Sequence, residues 1–475
     1  MNIRTIRDKA PYPIKQGLGY LHGILPIPLR YGRVFRQTRS FLQQSQWWSK
    51  EKLEEYQIQQ LELLLNHAYE NVPYYTRIFD ERHLKPKDIR CFDDLRKLPY
   101  LTKDDIRNNL TDLIDKTTSK SKLRYVTTSG STGIPLGFYG EKGITDAKEL
   151  AFVWRQWNWA GFEFGEKRVV LRGDVITKLK NGKPRVWEYR PMDRALILSS
   201  CDMPQENLRQ FVNLIKEFKP RVIRGAPSCL YIFANFLRTN DLRLSGIKCV
   251  LTSSETLYPF QRELFEECFN SKVYDHYGNA EGNALVMQCE RGGYHVITEY
   301  GILELIGEKG TVVNEEGRIG EIVATGFNNY AMPLIRYRTG DMAGLATNKC
   351  LCGRQFPLLK RIEGRQQEYV VSKNGRLISF NAALFGIHDE KWVNVKKIQC
   401  VQEVKGELII HVVGWQSGTG PDLAMYVLKL LKERLGSELT LEVKLVEDIP
   451  PTKSGKHKYL IQKLPINMDA LNKLT

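Results

Sequence analysis

Residues Thr127 to Gly137 read Thr-Thr-Ser-Gly-Ser-Thr-Gly-Ile-Pro-Leu-Gly. Seven consecutive hydroxyl and glycine residues, Thr127 to Gly133, offer no side chain that a packed core would bury. They suit a loop wrapped around a polyphosphate. Glycine lets the backbone approach an anion and reach φ > 0, and successive N–H groups then converge on phosphate oxygens. The Ser and Thr hydroxyls add uncharged donors. No Lys follows Gly133, so this is not the GxxxxGK[ST] phosphate loop, and it is not GxGxxG. A flexible Ser/Gly linker has the same composition. Linkers seldom sit so tightly between apolar flanks, here Tyr125-Val126 and Ile134-Pro135-Leu136.

A chain of 475 residues is too long for one core and implies two to four domains. Hydrophobic content of 42% and charged content of 26% are those of a soluble globular protein. No run of about 18 apolar residues predicts a membrane span, and the N-terminus lacks the apolar core of a signal peptide. Nine cysteines, an odd number, argue for a reducing compartment over a disulfide scaffold. The reading is a cytoplasmic protein.

The net charge of +16 is uneven. Residues 1–50 hold nine Lys or Arg against one acid, Asp8, mixed with Tyr20, Leu21, Ile24, Leu25, Phe35, Trp47 and Trp48. Such a basic, aromatic arm can lie on the anionic inner face of a membrane, or pack loosely on its own protein. No zinc-finger, RRM or helix-turn-helix signature points to nucleic acid.

Periodicity predicts helices over residues 51–71, 146–159, 259–270 and 422–435, with Thr102 as the N-cap of a further one. Apolar runs at 168–172, 221–225, 249–252 and 273–274 predict strands. Strands alternating with helices imply a mostly parallel sheet with helices outside. Beyond about Tyr294 short apolar segments are separated by Gly301, Gly307, Gly310, Gly317, Gly320 and Gly326, which predicts antiparallel strands. Past Gly364 the pattern is α+β, with strands at 396–404, 407–413 and 439–446. The fold class is therefore α/β plus α+β. A large N-terminal domain carries mostly parallel sheets and a small β subdomain, and a small α+β domain follows.

Four segments follow the glycine-rich run in order: Tyr277-Gly278-Asn279-Ala280-Glu281, Tyr337-Arg338-Thr339-Gly340-Asp341, Gly364-Arg365 and Pro450-Pro451-Thr452-Lys453-Ser454-Gly455-Lys456. Singly each is weak. Together, over roughly residues 45 to 460, they resemble the adenylate-forming superfamily of the acyl-CoA synthetase type, and within it the phenylacetate–coenzyme A ligase branch. Ala68-Tyr69-Glu70-Asn71-Val72-Pro73-Tyr74-Tyr75 resembles the N-terminal part of that branch. With the basic N-terminus, the chain looks most like its capsular-polysaccharide-biosynthesis members.

The resemblance implies ATP-dependent conversion of a carboxylate to an acyl-adenylate, then capture by a nucleophile, either the thiol of coenzyme A or an amine. Thr128, Ser129, Gly130, Ser131, Thr132 and Gly133 would hold the β- and γ-phosphates. Glu281 would hold Mg²⁺, a hard cation that prefers carboxylate oxygen. Tyr277 and Gly278 would lie along the adenine and acyl-adenylate, Asn279 would join the nucleotide-binding set, and Ser254 and Glu255 would lie near the nucleotide and acid. Asp341 would accept from both ribose hydroxyls. Lys456 would place a cation at the α-phosphate and carboxylate, while Lys453 and Lys458 read as solvated tail lysines. Gly364-Arg365 marks the hinge of a mobile domain, and Arg365 joins the catalytic and nucleotide-binding set. The family's acid two residues on is absent, since Gln366-Gln367-Glu368 follows. The implied organisation is a basic arm over 1–50, an adenylating domain over 51–363, a hinge over 364–368 and a small domain over 369–475. The other reading is a non-catalytic nucleotide- or membrane-surface-binding protein that kept the fold.

Cys289, His295, Cys350 and Cys352 form C-x₅-H…C-x-C, four good Zn²⁺ ligands that complete a tetrahedron. Unrelated residues would give the same pattern over so long a gap. Members of the branch look similar here, including Cys352-Gly353-Arg354, which implies structural zinc in a subdomain of about residues 285–360. The remaining thiols (Cys91, Cys201, Cys229, Cys249, Cys268, Cys400) read as buried or neutral. Trp154, Trp157 and Trp159 are candidates either for the acid pocket or for the core.

Overall fold

The computed structural model describes residues 12–25, 30–127, 136–171, 186–199, 203, 205–307, 310–365, 369–375, 377–380, 394–414, 420–435, 437–450 and 458–464. Thr128–Gly133 and Lys456 lie outside them, as do the side chain of Arg365 and residues Cys201 and Lys453. The chain divides into two units, one of residues 31–160 with 276–363, the other of residues 1–30, 161–275 and 364–475.

In the first of these units, Ser49 caps the helix Lys50–Asn71, its side chain accepting from the Lys52 N–H at 3.3 Å. Pro73, which has no N–H to donate, ends that run and opens the helix Pro73–Glu81 at its first turn. Thr102 and Asp105 form a reciprocal capping box at the start of Lys103–Asn108. A hairpin of Leu123–Thr127 and Gly137–Glu141 brackets the glycine-rich run. The sheet runs in the order Gly301–Ile306, Ile319–Gly326, Tyr337–Ala346, Leu358–Arg365, Tyr294–Val296, Leu285–Gln288 and the end of Lys272–Gly278. The registered pairs are antiparallel, as the glycine-punctuated pattern predicts.

The N-terminal arm departs from expectation. Residues Gly32–Ser45 form a helix packed against the helix Thr145–Trp159. Phe35, Leu42 and Ser45 are buried on one face at a spacing of three and seven residues, while Arg33 and Arg36 remain exposed. Ser45 donates at 2.7 Å to the buried Glu299, which also pairs with Arg155 at 2.7 Å. This half of the arm is core, because a buried ion pair needs its remaining acceptor capacity filled.

In the other unit, Cys249–Ser253, Val222–Gly225, Arg168–Leu171 and Ala195–Leu198 form a parallel sheet with Trp187–Arg190 antiparallel at its edge. Helices Gln205–Phe218, Pro227–Thr239 and Pro259–Phe269 accompany it. Gly225 is required where it stands: a Cβ there would lie 2.6 Å from the carbonyl oxygen of Leu171. A second sheet orders Thr440–Leu445, Glu407–Gly414, Val395–Gln402 and Leu460–Gln462, with the helix Gly420–Leu435. One apolar cluster joins Phe211, Phe233 and Phe265 to Ile398, Ile410 and Leu431. Among the described residues no helix is long and apolar enough to cross a membrane.

Candidate active site

The turn after the strand Lys272–Gly278 is built by Asn279. Its side-chain oxygen accepts from the Asn283 N–H at 3.2 Å, and its carbonyl accepts from the Gly282 N–H at 3.1 Å. Two glycines let neighbouring strands close on this turn. A Cβ on Gly326 would lie 2.8 Å from the Cα of Asn283, and one on Gly301 would meet the carbonyl oxygens of Thr325 and Asn283. The result is a fixed seat for Glu281, which is only 9% exposed. Tyr337, wholly buried, donates its hydroxyl to Glu281 Oε1 at 2.7 Å. Among the described residues Glu281 has no other hydrogen-bond partner and no cation at ion-pair distance. A carboxylate removed from water without a counterion is costly, so this geometry suits a metal ion at its second oxygen.

Asp341 sits on the strand that Tyr337 opens and is 8% exposed. Gly340, at φ +77°, lets the strand kink. The Asp341 N–H donates to Thr339 Oγ1 at 3.0 Å, whose own hydroxyl donates to the Ile322 carbonyl at 2.8 Å. Tyr277 donates to Asp341 Oδ2 at 2.7 Å. Burial and the Asp341 charge hold the Tyr277 phenol well above its ordinary value, so it remains a donor at any physiological pH. Tyr277, Glu281 and Asp341 are thus fixed within one unit by two phenols. The part Tyr337 plays here was not read from the sequence, although it begins the Tyr-Arg-Thr-Gly-Asp motif.

Ser254 and Glu255 belong to the other unit. Ser254 takes φ +77°, unusual for a residue with a side chain. Glu255 accepts from the Ser228 N–H at 2.8 Å and its hydroxyl at 3.0 Å, capping the helix Pro227–Thr239 at its positive end.

The predicted metal ligands converge. One donor atom from each of Cys289, His295, Cys350 and Cys352 lies within 4.8 Å of the others. Cys289 Sγ is 3.5 Å from Cys350 Sγ, and Cys352 Sγ is 3.2 Å from His295 Nε2. A tight turn bonds the Cys289 N–H to the Gly293 carbonyl at 3.0 Å, and a Cβ on Gly293 would stand 2.9 Å from Cys350 Sγ. Three sulfurs and one imidazole nitrogen fit Zn²⁺. Burial first, then the Arg354 charge, pushes His295 down to about 4, which leaves the neutral imidazole that a metal requires. Arg354 bonds Glu290 through one nitrogen at 2.9 and 3.0 Å and stacks over Trp159 and Trp47 at 4.2 and 4.9 Å. Trp159 therefore belongs to the surroundings of this cluster, and Trp154 and Trp157 pack edge to face in the core. Of the remaining thiols, Cys229, Cys249, Cys268 and Cys400 are buried as expected, whereas Cys91 is exposed.

Residues 370–463 match the family of the CapK C-terminal domain. The chain is 26% identical over 415 residues to protein CapK of Staphylococcus aureus, covering 86% of this chain and 89% of that protein. It is 26% identical over 341 residues to phenylacetate–coenzyme A ligase of Pseudomonas putida, covering 70% and 75%. Its fold is similar to that of 2-hydroxyisobutyryl-CoA ligase solved in the postadenylation state with R3-HIB-AMP, with a TM-score of 0.67 at 19% identity over 88% of this chain and 93% of that one. The chain has the fold of the adenylate-forming CoA ligases. Its relatives are those of the phenylacetate–coenzyme A ligase branch, with a CapK protein among them, as the ordered motifs implied.

Proposed function

We propose that this chain is an ATP-dependent, AMP-forming carboxylate ligase. A substrate carboxylate oxygen attacks the α-phosphorus of ATP, and the bond to pyrophosphate breaks. A thiol or amine then attacks the acyl carbonyl and AMP leaves. The observation that carries this reading is Glu281, a buried carboxylate whose one partner among the described residues is the Tyr337 hydroxyl. In this role Glu281 holds Mg²⁺, which neutralises phosphate charge when bound. Asp341, oriented by Tyr277 and Thr339, accepts from the ribose hydroxyls. Thr128–Gly133 supplies N–H and hydroxyl donors to the β- and γ-phosphates, and Lys456 supplies the cation at the α-phosphate. The Cys289–His295–Cys350–Cys352 cluster takes zinc in a structural role, since four protein donors leave no open position. The CapK relative favours an acceptor in capsule or exopolysaccharide synthesis, and the ligases of the branch favour coenzyme A. Carboxylate-dependent ATP–pyrophosphate exchange over a panel of acids tests the reading.

The exposed face of the helix Tyr12–Ile24 supports a peripheral role beside this activity. Gly19 and Gly23 seat one side on Pro191–Met192. On the opposite side Ile14, Leu21 and, just past its end, Leu25 are 53%, 66% and 40% exposed. An apolar stripe in a strongly basic segment fits the surface of an anionic bilayer, to which each nearby Lys or Arg adds about 1 kcal/mol. The protein is expected to sediment with phosphatidylglycerol vesicles and not with phosphatidylcholine vesicles, and Leu21→Asp to reduce that binding several-fold. Equal recovery with both vesicles, or with neither, rejects the surface.

A further inference from the structure

The helix Thr145–Trp159 carries a carboxyl group that the catalytic scheme above leaves unused. Tyr300, wholly buried, donates its hydroxyl to Glu149 Oε2, and Phe152 from the same helix holds the Tyr300 ring edge-on at 4.9 Å. The Tyr300 hydroxyl lies against the turn that presents Glu281. A Cβ on Gly282 would come within 3.4 Å of it, so a larger residue there would crowd the hydroxyl. The hydroxyl that Glu149 accepts from thus stands near Gly282, the residue after Glu281.

The pair is incompletely satisfied. A carboxylate accepts about four hydrogen bonds, and among the described residues Glu149 has Tyr300 alone. No Lys or Arg among them stands at ion-pair distance from it, and burial raises its carboxyl above the ordinary value. Its second oxygen, Oε1, has no hydrogen-bond partner among the described residues. A half-buried acceptor, one oxygen of which has no partner among the described residues, near the turn assigned to the acyl-adenylate, matches a ligand that brings a donor.

We propose that Glu149, oriented by Tyr300, recognises a hydroxyl or ammonium donor on the acid substrate. The substrate class is then a hydroxylated or amino-substituted carboxylic acid, in preference to an unsubstituted aliphatic or aromatic one. This rests on the ligase reading and sharpens it. A site built to bond a substrate donor rejects the analogue that lacks it, because the acceptor is left buried and unpaired. Glu149 is in this scheme a specificity residue, and Tyr300 positions it.

The test compares kcat/KM in ATP–pyrophosphate exchange for matched pairs, 2- and 3-hydroxy acids and 2- and 3-amino acids against their unsubstituted parents. The wild type is expected to prefer one substituted member by about 100-fold or more. Glu149→Gln and Glu149→Leu are expected to shrink that ratio at least about tenfold, and Tyr300→Phe to shrink it less, mainly through KM. Whether the hydroxyl or the amine arm responds identifies the donor. A Glu149→Gln protein that keeps the wild-type melting temperature and leaves the ratio unchanged overturns the proposal. So does a wild type that uses the unsubstituted parents equally well. Exchange with no acid in the panel overturns the ligase reading along with it.

Discussion

Replacing Lys456 by Ala is expected to lower carboxylate-dependent ATP–pyrophosphate exchange by about 100- to 1,000-fold, the typical cost of removing one preorganised electrostatic partner of the transition state. The reason is in the chemistry of the first step. Negative charge grows on the α-phosphate and the departing pyrophosphate while a carboxylate approaches, and like charges must be brought together. The glycine-rich run supplies donors without charge, because no Lys follows Gly133. The proposed scheme needs a cation from elsewhere and assigns it to Lys456 in the Thr-Lys-Ser-Gly-Lys segment at 452–456. Lys453→Ala and Lys458→Ala serve as controls, with losses of less than about threefold expected because the scheme gives neither a part at the phosphates; Lys458, read from the sequence as a solvated tail lysine, is half-buried. A Lys456→Ala enzyme that exchanges at the wild-type rate, or equal losses at all three positions, removes Lys456 from this role. Unchanged melting temperature and zinc content separate a catalytic defect from an unfolded one.

The second large effect concerns the metal cluster. Purified protein is expected to hold about one equivalent of zinc, since the three sulfurs and one imidazole nitrogen match its ligand preference. The ligands come from residues 289–295 and 350–352, so the ion closes a long segment that includes the strands Gly301–Ile306, Ile319–Gly326 and Tyr337–Ala346. Cys350→Ser is expected to lose the metal and lower the melting temperature by roughly 10 °C, several kcal/mol in a unit of this size. Because Tyr337 and Asp341 lie inside that segment, Mg²⁺ and nucleotide affinity should weaken as a secondary effect. Less than about a tenth of an equivalent in the wild type, when a tetrahedral site of this kind binds tightly, rejects the assignment.

Most local structure was legible because it is written in short-range signals. Pro73 breaks a helix wherever it stands, and Thr102 with Asp105 makes a capping box from four consecutive residues. The glycines beyond Tyr294 mark turns and close approaches that only they allow. The cysteine and histidine quartet was visible as a set of ligand types, and the fold supplied the proximity that spacing lacked. What was missed depends on contacts between distant positions. Ser45 and Arg155 meet at Glu299, which turns half of a basic arm into core. Glu149 finds Tyr300, and Tyr337 finds Glu281, across gaps with no periodicity to announce them. Asp341 was recognisable from its motif, whereas the phenol that orients it became clear only once Tyr277 and Asp341 were placed in one unit.

Acid activation is tested most directly by incorporation of labelled pyrophosphate into ATP as a function of added carboxylic acid and Mg²⁺. Exchange that requires both, that is strongest for a hydroxy- or amino-substituted acid and that disappears in Lys456→Ala and Glu281→Ala proteins is the predicted result. ATP binding without acid-dependent exchange, over a panel spanning aromatic, aliphatic, hydroxy and amino acids, contradicts it and leaves a nucleotide-binding protein in a ligase fold.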